Sequence, residues 1–282
     1  MDAIVFIAVL AAAACHAGWN ALLKLRLEPA VATALVAVAS GLVALPCVFL
    51  TGVPAPASWP YLLGSVAIHV VYYLTLAEAY RGADLGQVYP IARGTAPLMT
   101  AVLASLWLHE TLGIYGWAGV TALAAGLLLL AAKGGRASQA FNARSVGFAL
   151  LTSLTITMYT LVDGLGARLS GSSIAYTAWL FLLSGSAMVA YSITQMGARR
   201  LVPDFLVNWP VAVGGAALST AAYAIAIWAM TVAPIALVAA LRETSVLFAA
   251  LFSTLLLREP LMATRIAAAV LVLAGAALLR LA

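Results

Sequence analysis

Ten apolar runs of about twenty residues follow one another along this chain, and that succession limits the fold more than any motif does. They cover 3–23, 30–50, 58–80, 84–106, 112–132, 144–166, 172–195, 206–229, 232–257 and 261–281. Each is long enough to cross a bilayer as a helix, although charges fall inside the fourth and ninth. With 65% of the 282 residues hydrophobic, 8% charged and a mean hydropathy of +1.09, too little polar material is present to cover a water-facing surface. A soluble enzyme and a disordered chain are both excluded. A membrane β-barrel would show short alternating segments instead. The expected fold class is an all-α polytopic membrane protein with ten transmembrane helices. The first run lacks a basic leader and is not expected to be a cleaved signal. Cys15 and Cys47 lie inside apolar runs and are expected to be two buried thiols, with no disulfide framework.

The basic residues are lopsided. Connections after odd-numbered runs carry Lys24, Arg26, Arg81, Lys133, Arg136, Arg144, Arg199, Arg200, Arg258 and Arg265, whereas the opposite face has Arg168 and Arg280. The positive-inside rule puts the odd connections in the cytoplasm and both termini outside. The net charge of +5 is then explained by an anionic leaflet, with no aromatic-basic module that would suggest nucleic acid.

The two halves repeat. Arg93 to Glu110 and Arg242 to Glu259 both span 17 residues, and one offset of 149 aligns Leu108-His109-Glu110 with Leu257-Arg258-Glu259 and Ala125-Gly126 with Ala274-Gly275. A second offset of 142 brings Arg26-Leu27 onto Arg168-Leu169. The expected organisation is a first five-helix unit over 1–133, a linker over 134–143 and a second unit over 144–282. Five is odd, so the second unit enters the bilayer upside down. Inverted repeats are the usual frame for alternating access around a midplane site.

Tyr89-Pro90-Ile91-Ala92-Arg93-Gly94, the Leu108-His109-Glu110 and Leu257-Arg258-Glu259-Pro260 endings, and the Ala-Gly pairs that follow resemble the EamA-type proteins of the drug/metabolite transporter superfamily. The resemblance covers nearly the whole chain. It implies a ten-helix carrier and, within the superfamily, the chain looks like bacterial amino-acid exporters, some of which handle aromatic amino acids. The sugar-phosphate and nucleotide-sugar branches use lysine-rich sites, whereas Lys24 and Lys133 here both fall in connections.

Charges at membrane depth are costly and face a cavity or a partner. Arg93, between Pro90 and Pro97, can hold a substrate carboxylate, or pair with Glu243 or Glu78 and tie two helices together. Arg242 occupies its repeat position. Glu243 can gate, bind a proton or pair structurally; Glu110 and Glu259 are expected to cap helices or form ion pairs in connections. His69 and Tyr73 share a helical face with Tyr72 on its flank. His16, Trp19 and Asn20 share another, as do Thr155, Tyr159 and Asp163, with Asp163 expected to pair with a basic residue nearer the interface. Ser219 and Tyr223 lie four apart in the eighth run, and Tyr89 precedes Arg93 by a turn. Together these suit a cavity for a small zwitterion with an apolar side chain. Trp59, Tyr61, Trp107, Tyr115, Trp117 and Trp209 read as interfacial belt residues, and Gly82 and Gly86 as packing contacts. Pro90, Pro97, Pro210 and Pro234 are candidate hinges.

No Gly-Lys-Ser/Thr phosphate loop, His-Glu-x-x-His or Gly-x-Ser-x-Gly is present, so neither a cofactor nor a metal is expected, and no enzyme. The expectation is a secondary carrier of a bacterial inner membrane, exporting small amino acids, able to work as a monomer. Proton coupling stays open, with His69, Glu78 and Glu243 able to titrate. A cationic-drug carrier is the first alternative, recognisable by a cavity acid that binds cargo, and a membrane-embedded enzyme or scaffold the second.

Overall fold

The computed structural model describes residues 1–24, 29–80, 85–134, 143–257 and 263–282. The linker expected at 134–143 and the residues Arg26, Arg81, Gly82, Arg136, Arg258 and Glu259 fall largely or wholly outside them. The described chain is helical throughout, as a hydrocarbon environment requires: each backbone donor must find its acceptor within its own segment. The helices are α1 (Ala3–Lys24), α2 (Pro29–Thr51), α3 (Trp59–Tyr80), α4 (Leu85–Trp107), α5 (Ile114–Gly134), α6 (Ala143–Leu169), α7 (Ser173–Met196), α8 (Ala198–Val232), α9 (Ile235–Arg242), α10 (Ser245–Leu257) and α11 (Ala263–Leu281). A short 3-10 turn, Pro56–Ser58, leads into α3.

Two elements differ from the expected runs. α8 begins at Ala198, because its first turns are polar: Arg200 and Asp204 pair at 3.6 Å on an exposed face, so the helix continues beyond its apolar stretch. The ninth run is two helices. At Glu243-Thr244 the backbone tightens to three-residue hydrogen bonds, Glu243 N to Ala240 O at 3.0 Å and Thr244 N to Leu241 O at 3.1 Å, with Thr244 Oγ1 donating back to Leu241 O at 2.7 Å. Among the described residues, nine helical stretches are long and apolar enough to span a membrane. α4 is the tenth crossing, its 23 residues made less apolar by Arg93 and two prolines. Both cysteines are free and neither is buried: Cys15 is partly covered and Cys47 exposed, contrary to the expected burial, in a stretch of α2 where Leu45, Phe49 and Leu50 are exposed as well.

The packing carries the repeat. α1 packs on α8 as α3 packs on α6, α4 on α6 as α10 on α1, while α2–α7 and α5–α11 pair across the pseudo-axis. The offset of 149 holds in individual contacts. A Cβ on Gly126 would meet Val272 and the carbonyl of Ala268; one on Gly275 would meet Leu123 and the carbonyl of Gly119. Adding 149 to 119, 123 and 126 gives 268, 272 and 275, so these are one contact seen twice. Gly41 and Gly185 do the same for α2 and α7, where a Cβ on Gly185 would lie 2.9 Å from the Gly41 Cα. With lipid on the outside as apolar as leucine, close backbone approach supplies the helix–helix attraction.

Candidate functional site

α4 and α9 cross near the pseudo-axis, which brings Arg93 together with its repeat counterpart Arg242 at the α9–α10 break. Arg93 is held by a bidentate pair: Nε donates to Glu243 Oε2 at 3.0 Å and Nη2 lies 2.9 Å from Oε1. Both residues are buried, at 7% and 5% exposure. The planar guanidinium fork matches a carboxylate in this way, and an ammonium cannot. Glu243 has no acidic counterpart in the first half, where the equivalent position is Gly94. Among the described residues Arg242 therefore has no carboxylate within ion-pair distance. Its guanidinium lies 4.9 Å from the centre of the Tyr223 ring, a cation–π contact.

α4 stays continuous through Pro90 and Pro97, and α6 supplies hydroxyl donors to carbonyls between and beside them. Ser153 Oγ donates to Ala92 O at 2.5 Å, Thr157 Oγ1 to Ala96 O at 3.2 Å, and Thr100 Oγ1 to Thr157 Oγ1 at 3.3 Å. Thr95 and Ser153 hydroxyls are also bonded. This hydroxyl ladder was not anticipated. It was detectable only as an unusual density of Ser and Thr in the sixth run. Pro210 lies inside the continuous α8. Pro234 is the N-cap of α9, at the turn after α8. The break within the ninth run, at Glu243-Thr244, contains no proline.

Aromatic rings gather beside the pair. His69 stacks on Tyr159 with centroids 4.3 Å apart and planes at 20°. Tyr72 meets Tyr159 at 5.8 Å and Tyr73 at 5.2 Å, and Tyr223 meets Tyr159 and His69 edge-on. Tyr89 lies within electrostatic reach of the Arg93–Glu243 pair, and His16 within reach of both arginines. Trp19 packs with the α2–α8 cluster around Leu35 and Ala212, though its Nε1 lies 3.3 Å from His16 Nδ1. Asn20 spends its amide on the His16 carbonyl at 2.8 Å. Glu78 pairs with Arg144 at 3.3 Å and leaves Arg93 to Glu243. The space walled by Arg93, Pro97, Thr100, Tyr159, Thr160 and Arg242 holds only about 10 Å³, which is room for one water. In this conformation the space beside the pair is too small for an amino acid.

Two further polar clusters flank it. Asp163, fully buried in α6, accepts a hydrogen bond from Tyr176 at 3.0 Å on Oδ1, and Oδ2 lies 2.5 Å from the Tyr223 hydroxyl. The basic partner expected for it is replaced by two phenols arriving from α7 and α8. At the end of the bundle, Glu110 accepts from the free backbone N–H groups of Ile235 (3.0 Å) and Ala236 (3.3 Å) at the start of α9, where a helix end favours an anion. Arg168 bridges the same carboxylate at 3.0 Å and the carbonyls of Met230 and Ala233 at 2.9 and 3.1 Å. His109, at φ +54°, supplies the left-handed turn that precedes Glu110.

The model of the EamA-like transporter family matches residues 3–132 and again 143–281. No curated protein matches the chain. A crystal structure of a protein 18% identical superposes with a TM-score of 0.76 over 99% of this chain and 97% of that one, which establishes a shared fold.

Proposed function

Because the chain belongs to the EamA-like transporter family, and is thus a membrane transporter, we propose that it carries small amino acids or related carboxylate-bearing metabolites outward across a bacterial inner membrane. One observation carries the substrate class. At the pseudo-axis two guanidiniums face a single carboxylate, and Glu243 is already committed to Arg93. The excess positive charge belongs to Arg242, which also rests on an aromatic face. That arrangement suits a substrate carboxylate, with Tyr159, Tyr223 and His69 to hold an apolar side chain. A cationic drug would need a free cavity acid, and Glu243 spends both oxygens on another helix.

The cycle follows from the size of that space. Since about 10 Å³ cannot hold an amino acid, loading requires α4 and α9 to part, and each parting opens the site to one side. The two inverted units alternate in doing so. We place 1–133 and 144–282 as these units, and both termini on the outer side.

The test is counterflow. Liposomes loaded with unlabelled amino acid should accumulate labelled tryptophan, phenylalanine, threonine or leucine saturably, without an ion gradient and only when protein is present. Arg242→Gln should weaken apparent affinity by about 10- to 100-fold, as loss of one charged hydrogen bond of about 1.5–3 kcal/mol predicts. An amino-acid methyl ester should be indifferent to that substitution. Absence of uptake for all four amino acids, with uptake of a cationic dye instead, would overturn the reading.

A further inference from the structure

The transport scheme above uses Arg93, Arg242 and Glu243 and leaves Asp163 without a task. A fully buried carboxylate inside a membrane helix is expensive unless a cation neutralises it. Among the described residues no lysine or arginine lies within ion-pair distance of Asp163. Every element packed against it offers neutral or titratable groups instead: Tyr176 from α7, Tyr223 from α8, and Ser65 and His69 from α3. Tyr159 lies one turn earlier in α6, and Arg242 of α9 stands behind the Tyr223 ring.

From this placement we propose that Asp163 is a proton-binding site that couples the transport cycle to the pH difference across the membrane. In this conformation the carboxyl holds the proton on Oδ2 and donates it to the Tyr223 oxygen 2.5 Å away, while Oδ1 accepts from Tyr176. A phenol can take either role, so the contact survives both protonation states. His69 is the exit. Its Nδ1 is anchored on Ser65, 2.9 Å from the carbonyl and 3.2 Å from the hydroxyl. Ser65 bonds both Asp163 and His69, His69 stacks on Tyr159 at the wall of the central site, and the proton leaves by that route when the helices part and water enters. Tyr223 touches both Asp163 and Arg242, which ties the proton site to the substrate site.

The coupling rests on the transport reading, so the experiment separates the two. In proteoliposomes, wild-type protein should accumulate substrate against its gradient when a pH difference is imposed and should also show counterflow without one. Asp163→Asn, which keeps both tyrosine contacts, should lose the pH-driven accumulation and retain counterflow. His69→Gln, which cannot accept and pass on a proton, should slow or abolish the pH-driven accumulation. Infrared titration of purified protein without substrate should show a protonated-carboxyl stretch at neutral pH that is missing from Asp163→Asn. Wild-type counterflow indifferent to pH gradients, or an Asp163→Asn variant that still concentrates substrate, would overturn the coupling. An infrared spectrum unchanged by the substitution would overturn the site itself. Absence of counterflow in wild type would instead count against the transport reading, and the infrared comparison would still decide Asp163.

Discussion

Arg93 and Glu243 form the ion pair on which the central site is built, and the consequence of removing one partner differs from that of removing both. Truncating Arg93 to alanine leaves Glu243 buried without its bidentate partner, which costs about 3–5 kcal/mol for a pair of this kind. The melting temperature of the detergent-purified protein should fall accordingly. Replacing both by leucine removes the two desolvation penalties together and should restore most of that stability, with flux abolished. A double variant as unstable as the single one would show that the pair stabilises the bundle by itself. That the two residues would meet was one of two partnerships open at the level of sequence, since Glu78 was also available. Glu78 lies near the end of α3, where Arg144 is within reach, and this position decides between them. The role of Asp163 was harder to foresee. Its partners are a tyrosine 13 residues away and another 60 residues away, and only the packing of α7 and α8 against α6 brings them to one carboxylate.

Among the elements, helices were legible because twenty apolar residues have a single use in a bilayer, and the inverted repeat was legible because one offset aligned several landmarks. The break between α9 and α10 was not, since Glu243-Thr244 carries neither glycine nor proline and the interruption is held by tertiary contacts to Arg93. The glycines at helix crossings carry a sharper statement. At Gly275 an added Cβ would lie 2.8 Å from the carbonyl oxygen of Gly119 and 2.9 Å from the backbone nitrogen of Leu123. Backbone cannot swing aside as a side chain can. Gly275→Ala should therefore push α5 and α11 apart and cost about 1–3 kcal/mol. Gly64→Ala in α3 meets nothing within 4 Å and should be neutral, or stabilising by up to about 1 kcal/mol through helix propensity. Thermal melts of the two variants side by side check the contrast. Equal melting temperatures would mean that α5 and α11 do not need the close approach.

For the whole molecule, the two halves share a chain pattern but not a shape. Among the described residues α4 packs closely along α5, whereas its counterpart α10 leaves an apolar crevice of about 170 Å³ against α5 and α11, lined by Leu130, Val246, Leu247 and Ala268. Inverted repeats in different conformations are what alternating access requires, because exchanging the two conformations exchanges the open side. At one end the helices are tied together through Glu110. Its carboxylate joins the α4–α5 connection to the start of α9, and Arg168 adds the end of α6 and the α8–α9 turn. Glu110→Gln keeps the shape but removes the charge from three hydrogen bonds, each worth about 1.5–3 kcal/mol when charged. A loss of that size shifts a two-state population at least about tenfold. With Cys15 and Cys47 replaced by alanine and Thr100→Cys placed in the central wall, an impermeant thiol reagent should label the parent slowly and the Glu110→Gln variant at least about tenfold faster. The basic residues predict that this labelling comes from the outer side of intact cells, the side on which a reporter fused to Ala282 should also be found. Equal labelling of parent and variant would remove Glu110 as the clamp. Faster labelling only in inverted vesicles would keep the clamp and reverse the orientation.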